Sequence, residues 1–183
     1  MANVTYLTDD RVARLTSAEA DLARALSLAP EHALAHLMMG RIYIFTNRVS
    51  QGIAECECAL ALDRNLADAH AVIGLAKIFG GHPEETETHV NEAFRLSPRD
   101  HRAYRWLQFV GTSKLVLGDY EEAVACSRRS IEINRNHPVA QSYLAAALAH
   151  LGRLKEARSA VQAGLAANPS FTISRFRAAV GSR

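Results

Sequence analysis

The sequence predicts an all-α fold, a right-handed superhelical solenoid of stacked antiparallel helix pairs without strands. Two observations predict it: a pattern recurs about every 34 residues, and small residues recur at fixed places within each period. The composition agrees, because 49% of the residues are hydrophobic but only 7% are aromatic, and alanine-rich sequence favours closely packed helices. No segment shows sustained alternation of apolar and polar residues with a period of two, so we expect no strand.

The turn that ends each period is marked by a proline or an arginine. The marked positions are separated by 34, 34, 37 and 34 residues, and they are Pro30, Arg64, Pro98, Arg135 and Pro169. The step of 37 adds three residues, which is close to one helical turn. We therefore expect the first helix that begins near "RDHRAYRW" to be longer than the others, with its buried face kept in phase.

Small residues occupy one position in each predicted first helix, where the second helix of the pair crosses closely. They are Gly40, Gly74, Gly111 and Ala145. The second helices carry complementary small residues at Gly52, Ala123 and Ala157, with Thr86 as the weak member, and again at Ala59, Ala93, Ser130 and Gly164. A larger side chain at these positions would hold the two helices apart.

Turn residues predict where several helices begin. Asp119 is the expected N-cap of a second helix, followed by acidic residues that favour the positive end of the helix dipole. Pro83 and Pro138 are expected at first helical positions.

These marks organise residues 1–183 as a single repeat domain. The predicted parts are a half repeat with a second helix only (9–32), repeats at 33–66, 67–103 (with the three-residue extension), 104–137 and 138–171, and a C-terminal capping helix and tail (172–183). The half repeat lacks its first helix, and residues 1–8 are too few to supply one. We therefore expect the native chain to be longer.

On these motifs the sequence resembles the tetratricopeptide repeat family over roughly residues 10–170. It departs from the family early in the first helix, where a large aromatic residue is usual and His36, His70, Leu107 and Gln141 stand here. Lys77 and Lys114 also replace the usual tyrosine beside the small residue. The resemblance implies that the first helices line a concave wall that binds other proteins.

The predicted concave wall is apolar with two arginines, which suits an amphipathic helix as partner. Its residues are Leu34, Leu37, Arg41, Ile44, Phe45, Ala71, Leu75, Ile78, Phe79, Arg105, Gln108, Thr112, Leu115 and Ser142. Family members that capture a terminal carboxylate use lysine, asparagine and arginine here, and this chain lacks that set. Three alternatives stay open: Phe45 and Phe79 seal adjacent repeats, another part of the same polypeptide covers the wall, or a homodimer forms through exposed terminal helices.

A second, closer resemblance covers much of residues 96–177. The run "LSPRDHRAYRWL" and the run from "LGDYEEAVACSRRSIEINRNHP" to "SFTISRFR" are similar to the C-terminal repeat region of bacterial class III adenylate/guanylate cyclases. In that family the cyclase domain lies upstream, and its paired metal-binding aspartates have no counterpart here. The resemblance implies a parent enzyme and no activity for these 183 residues.

No catalytic, cofactor-binding or metal-binding residue is predicted. The sequence has no nucleophile elbow, phosphate loop or dinucleotide fingerprint. His32 and His36 are one helical turn apart, but packing is the expected role of His36. Cys56 and Cys58 point to different sides of a helix, so they form no redox pair.

The remaining sequence features restrict the class of partner and the cellular location that we expect. The chain has no secretory signal or membrane span, and its three cysteines are expected to be reduced thiols of a cytoplasmic protein. The net charge of +2 demands no polyanionic partner. A weaker alternative is single-stranded RNA binding by the Arg102–Phe109 face, which includes Tyr104, Arg105 and Trp106.

The function predicted from the sequence is protein–protein interaction, as the non-catalytic regulatory region of a class III cyclase. The alternative is a stand-alone adaptor that acts in trans.

Overall fold

The computed structural model describes residues 11–169 and residue 172, and the regular structure within that range is entirely helical. Its α helices are α1 (Arg11–Leu28), α2 (Ala33–Phe45), α3 (Val49–Leu62), α4 (Ala67–Phe79), α5 (Thr86–Leu96), α6 (Ala103–Leu117), α7 (Tyr120–Ile133), α8 (Pro138–His150) and α9 (Leu154–Ala167). A single 3-10 turn, Pro83–Glu85, precedes α5. The predicted N-terminal residues 1–8 and nearly all of the predicted capping helix lie outside the described residues.

The helices pack as a row of hairpins: α2 with α3, α4 with α5, α6 with α7, and α8 with α9. Each first helix also contacts the next first helix, whereas no second helix in the described range contacts the next second helix. A stack in which helices of the same kind contact each other only on the first-helix side curves toward that side. Helices α2, α4, α6 and α8 therefore form the inner wall of an all-α helical solenoid, which confirms the predicted fold class.

The hydrophobic core runs through the solenoid as clusters that each join two neighbouring hairpins. Leu37, Ile44 and Val72 belong to the cluster between the first and second hairpins, and all three are fully buried. Val90 and Trp106 belong to the next cluster and are also fully buried. Since no hairpin completes its core alone, each repeat depends on its neighbour for stability.

The small residues lie where the sequence predicts close helix crossings. A Cβ added to Gly40 would lie 2.8 Å from the carbonyl oxygen of Gly52, and one added to Gly52 would lie 2.6 Å from a side-chain carbon of Ile44. Thr86, the exception among the small residues, is fully buried, and its hydroxyl donates a hydrogen bond of 3.0 Å to the carbonyl of Gly74. That bond satisfies the extra polar atom at the crossing.

Lys77 and Lys114, which stand where the tetratricopeptide repeat family usually has tyrosine, each form an ion pair. Lys77 Nζ lies 2.6 Å from Glu85 Oε2, and Lys114 Nζ lies 2.8 Å from Glu87 Oε2. The hydrogen bond that Lys114 donates to Glu87 raises the pKa of Lys114. Lys77 therefore connects the first helix of its repeat to the 3-10 turn of the same repeat. Lys114 connects a first helix to the second helix of the preceding repeat.

The three extra residues of the long repeat are shared between a connection and a helix. Residues 97–102 connect α5 to α6, whereas residues 63–66 connect α3 to α4. Helix α6 has 15 residues, compared with 13 in α2, α4 and α8, and it begins at Ala103, one residue before the predicted repeat boundary. The expected lengthening of the first helix thus accounts for only part of the extension.

The predicted helix starts are in the predicted positions, but the predicted N-cap side chain does not make the capping hydrogen bond. Pro83 and Pro138 occupy first helical positions, as predicted. Asp119 lies at the N-cap of α7, but its side chain makes no capping hydrogen bond. At α2 the N-cap is instead His32, whose Nδ1 accepts a hydrogen bond of 3.2 Å from the backbone of Ala35.

A buried histidine joins the third and fourth hairpins. His137, the N-cap residue of α8, is 4% exposed, and its ring contacts the Tyr104 ring edge-on at a centroid distance of 4.9 Å. Neither ring nitrogen has a hydrogen-bond partner among the described residues. Burial, assisted by the positive charge of Arg105, lowers the pKa of His137 to about 4.

Replacing Gly40 by alanine is expected to lower the free energy of unfolding by about 1–3 kcal/mol, because the crossing leaves no room beside a backbone oxygen. Gly111→Ala is the matched control: its Cβ would lie 3.2 Å from Cβ of Cys126 and 3.5 Å from the nearest backbone oxygen, so the facing helix needs to move by only a few tenths of an ångström. Urea denaturation of the two variants makes the comparison. Equal losses would contradict a crossing limited by the backbone at Gly40.

The free energy of unfolding is expected to fall as the pH drops from about 6.5 toward 4. Over that range the unfolded chain binds a proton at His137 and the folded chain does not, so protons favour unfolding. The loss attributable to His137 approaches about 3 kcal/mol below pH 4. Urea denaturation at pH 7, 6, 5 and 4 measures it, and His137→Phe should flatten that part of the profile. An unchanged profile in the variant would assign the acid sensitivity to other groups.

Candidate functional site

All of the predicted wall residues lie on the first helices, but they differ in exposure. Half of them are buried: Leu37, Arg41, Ile44, Ala71, Leu75, Gln108 and Thr112. Phe45, Ile78, Phe79, Arg105, Leu115 and Ser142 are partly buried, and Leu34 is exposed. The projection from the sequence therefore lists residues of the first helices only, and half of the residues that it assigned to the surface of the wall are buried.

The buried aliphatic residues are core residues because neighbouring first helices pack against each other. Leu37 and Ile44 belong to one hydrophobic cluster, and Ala71 and Leu75 belong to the next. Their side chains fill the space between repeats. They therefore support the wall from within and do not contact a ligand in this conformation.

An apolar row follows the C-terminal ends of α2, α4 and α6 along the inner wall. It consists of Phe45, Ile78, Phe79, Leu115 and Val116. The rings of Phe45 and Phe79 meet edge-on at 6.1 Å, so these two residues do seal adjacent repeats, yet both stay partly exposed. Val116 is 60% exposed. The ends of these three helices therefore each carry apolar side chains that remain at least partly exposed.

Val116 is the member of the apolar row that the sequence analysis missed. It occupies the same repeat position as Phe45 and Phe79, 34 residues and then 37 residues further along the chain. Extending the repeat alignment by one helical position in the long repeat would have found it. His150 follows at this position in the last described hairpin, where its ring stacks on Tyr120 at 4.4 Å.

A buried carboxylate cluster lies at the N-terminal side of the same wall. Asp68 on α4 is 1% exposed and accepts hydrogen bonds from Arg41 Nη1 at 2.9 Å, Arg102 Nη1 at 3.1 Å and Trp106 Nε1 at 2.9 Å. Arg102 also donates from Nε to Asp100 at 3.2 Å. Asp68, Arg41, Arg102, Trp106 and Asp100 form what we call the Asp68 cluster, which links three successive first helices.

Within the Asp68 cluster, the electrostatics favour the charged forms of Asp100 and Arg102. Burial opposes the charge of Asp100, but the side-chain and backbone hydrogen bonds from Arg102 outweigh burial and lower the pKa of Asp100. Burial likewise opposes the charge of Arg102, and the two carboxylates outweigh it and raise the pKa of Arg102. Two arginines thus face two aspartates, and the cluster is neutral as a whole.

The Asp68 cluster removes the aromatic platform on which the RNA alternative depended. Trp106 is fully buried and Phe109 is 4% exposed, so neither ring can stack on a base. Tyr104 packs against His137, and Arg102 is held by two carboxylates. The Arg102–Phe109 segment is therefore a structural element of the junction between repeats.

The middle of α6 and the first turn of α8 contribute polar groups to the wall that are satisfied from within. Gln108 Nε2 donates to Thr112 Oγ1 at 2.7 Å, and the Thr112 hydroxyl donates to the Gln108 carbonyl at 2.8 Å. The Ser142 hydroxyl donates to the Pro138 carbonyl at 3.2 Å. On α6 the exposed apolar side chains therefore lie at its C-terminal end, beyond these polar groups.

An open depression of about 540 Å³ adjoins the Asp68 cluster at the edge of the wall. Its lining combines the apolar side chains of Leu34 and Leu66 with the guanidinium of Arg102. Glu31, His32, Ala33 and Asp63 complete the lining. Arg102 is therefore the cluster member that a molecule entering the depression would meet.

The histidines singled out in the sequence have structural partners. His36 Nδ1 lies 2.6 Å from Glu55 Oε2, and its Nε2 lies 2.8 Å from the Pro30 carbonyl oxygen. Burial opposes protonation of His36, but these hydrogen bonds outweigh burial and raise its pKa. With His32 capping α2, the two side chains do not converge on a metal position.

The cysteines Cys56 and Cys58 differ in exposure, and a small cluster of ionisable side chains lies in the turn before α5. Cys56 is fully buried and burial raises its pKa to about 12, so it is an unreactive core thiol. Cys58 is exposed and unpaired. Ligand atoms of His82, Glu84 and Glu85 lie within 4.8 Å of one another, but Lys77 already pairs with Glu85 in this exposed turn.

Within the described range, no helix combines the length and the apolar character needed to cross a membrane.

Comparison with known proteins supports a repeat solenoid. The tetratricopeptide repeat family model matches residues 116–181. No curated protein gives a significant match to this sequence. Among solved structures, PilW, a widely conserved type IV pilus biogenesis factor, is 20% identical with a TM-score of 0.76, over 90% of this chain and 75% of its own.

Two further structures are similar to the chain. A thermophilic tetratricopeptide repeat protein of Thermus thermophilus is 20% identical with a TM-score of 0.76, over 86% of this chain and 85% of its own. YrrB, described as a tetratricopeptide repeat protein with an unusual peptide-binding site, is 20% identical with a TM-score of 0.58, over 87% and 86%. The described residues thus form an all-α solenoid of the tetratricopeptide repeat type, and residues 116–181 match that family in sequence.

Proposed function

We propose that this chain is a protein-interaction module that holds an amphipathic helix of its partner against the apolar row. The observation that carries the proposal is the set of at least partly exposed apolar side chains from Phe45 to Val116, at the ends of three successive first helices. Exposed apolar surface of this kind marks interaction sites in folded proteins. YrrB, which shares the fold, is described as having a peptide-binding site, and this supports the same use here.

The spacing of the apolar row suits a helix. Neighbouring helices in a packed layer lie about 8–10 Å apart, so the first helices offer the side chains of the row at about that interval, and the rings of Phe45 and Phe79 approach to 6.1 Å. A partner helix presents apolar side chains at positions i, i+3, i+4 and i+7, one or two turns apart, which matches such a ladder. On α8 the same repeat position is His150, so the apolar row ends with α6.

The parent protein is the finer part of the proposal. We propose the regulatory region of a class III adenylate/guanylate cyclase, because residues 96–177 resemble the repeat region of that family. A stand-alone adaptor that acts in trans fits the fold equally well. For either one we propose a cytoplasmic location, which agrees with three unpaired cysteines. The chain itself has the proposed role of a scaffold without catalysis.

A homodimer formed through exposed terminal helices is the alternative assembly. The terminal helices of the described range expose large apolar residues, with Val12 and Leu28 on α1 about 80% exposed and Val161 and Leu165 on α9 about half exposed. Sedimentation velocity across a concentration series distinguishes this dimer from a monomer.

Replacing Val116 by glutamate is expected to weaken binding of a helical peptide at least about tenfold, because a charge would enter the apolar row. The peptides are selected against the wild-type protein from a displayed library of helices. Ile133→Glu is the matched control, since Ile133 is 53% exposed on the outer helix α7. Fluorescence anisotropy measures both affinities.

The outcomes separate the inner wall from the rest of the surface. Unchanged binding by Val116→Glu, or an equal loss in Ile133→Glu, would place the contact elsewhere. Phe45→Glu and Phe79→Glu extend the test along the row, and circular dichroism establishes that each variant remains folded. Full-strength binding by folded variants at both positions would exclude the apolar row.

The parent protein is tested in the source cells by the mass of the polypeptide that an antibody to this chain detects. A band well above 20 kDa is expected for a cyclase, and its nucleotide cyclase activity should change when the repeats are deleted. A band at 20 kDa would refute the cyclase proposal and leave the adaptor.

A further inference from the structure

Asp68, the acceptor at the centre of the Asp68 cluster, stands at a repeat position where the other first helices have no carboxylate. The corresponding residues of the other first helices are Leu34, Arg105 and Val139, so the fold itself does not require a carboxylate there. The position lies on the inner-wall side of its helix, yet Asp68 is 1% exposed. Its carboxylate is covered by side chains from the repeats on either side.

The donors around Asp68 are arranged as in a carboxylate-binding site. Two guanidinium groups and an indole N–H converge on its two oxygens, with Arg41 and Arg102 on Oδ2 and Trp106 on Oδ1. Charge-assisted hydrogen bonds from arginine are the usual means of holding a carboxylate. In addition, Arg41 Nη2 is buried without a partner among the described residues, so the donors outnumber the acceptors that Asp68 supplies.

We propose that Asp68 is the chain's own occupant of a carboxylate-binding site on the inner wall, and that it thereby excludes acidic partners from the wall. The proposal rests on the proposed function, because it assumes that the wall binds a partner. It makes Asp68 a specificity-determining residue: the arginines that would attract an acidic helix are already neutralised by Asp68 and Asp100.

The net charge of the Asp68 cluster depends on Asp68. With Asp68 present, two arginines face two aspartates and the cluster carries no net charge. Without Asp68 one positive charge is left over, in a place where the surroundings are largely dry. An isolated charge of this kind is costly, so the vacated site should take up an anion. Arg102, which lines the open depression, is the member of the cluster that a small anion would reach first.

The first test is chemical rescue of Asp68→Ala by acetate, which supplies the missing carboxylate. Thermal unfolding is measured in about 100 mM sodium acetate, in sodium chloride of the same concentration, and with acetamide, which has the same shape without charge. We expect acetate to raise the Tm of Asp68→Ala by about 3 °C or more over both references, because it binds the folded state alone. Wild type should show no such difference, since its site is filled.

The control for lost charge is Glu57→Ala, which removes an exposed carboxylate from the outer helix α3. It should show no specific effect of acetate. A purely structural role of Asp68 predicts a lower Tm that acetate does not restore, and this result would overturn the proposal. An equal acetate effect in Glu57→Ala would overturn it as well.

The second test measures specificity with Asp68→Asn, which keeps the shape of the side chain and carries the test if Asp68→Ala does not fold. The probes are two fluorescein-labelled amphipathic helical peptides with one apolar face in common, and with glutamates or glutamines on the polar face. Asp68→Asn should shift the ratio of affinities about tenfold toward the glutamate peptide, and added salt should reduce the shift. An unchanged ratio would overturn the proposal.

The two tests separate this inference from the proposed function. If neither peptide binds wild type or Asp68→Asn, the amphipathic-helix proposal fails, while acetate rescue still decides whether Asp68 fills a carboxylate site. If both peptides bind but the ratio does not respond to Asp68→Asn, the wall binds a helix and Asp68 does not select it.

Discussion

The close crossing of the two helices in each hairpin is the constraint on which the rest of the structure depends. At the first hairpin the backbone of α3 approaches Gly40 so closely that a methyl group would meet a carbonyl oxygen at 2.8 Å. Because the hairpin is thin, the next hairpin can pack against both of its helices. The first helices then contact one another along one side, and the inner wall and its curvature follow from that contact.

The inner wall consequently serves two purposes that compete for the same side chains. Residues between first helices must fill the core, and residues on the open side must meet the partner. Leu37 and Leu75 fill the core, and Val116 and Ile78 remain at least partly exposed for the partner that we propose. The apolar row and the Asp68 cluster lie at opposite ends of these helices. The wall therefore has an apolar side that is open and a charged side whose two arginines are paired with aspartates.

Most of the fold could be predicted from the sequence because it is repetitive. The interval between Gly40, Gly74, Gly111 and Ala145 determines the hairpins, and the prolines and glycines mark their ends. Helical projection also placed every predicted wall residue on a first helix. It could not separate Leu37, which is buried, from Leu34, which is exposed, because that difference depends on how far the next hairpin covers each position.

The charged part of the wall could not be predicted for a related reason. Asp68 lies 27 residues from Arg41 and 34 and 38 residues from Arg102 and Trp106, so its partners belong to three different repeats. The sequence shows two arginines and a tryptophan in one short run, and that composition is as typical of a nucleic-acid-binding surface as of a buried ion pair. Only the packing between repeats distinguishes the two.

The Asp68 cluster also bears on how such a chain can evolve. Repeat arrays gain and lose whole units by recombination when each unit contacts its neighbours in the same way. Deleting the repeat that carries Asp68 would leave Arg41 facing a unit that has Arg105 at the corresponding position, so two cations would meet in place of an ion pair. Duplicating it would instead bury an aspartate without the tryptophan that follows. The central repeats are therefore expected to be inherited as one block, while the hairpins on either side remain exchangeable.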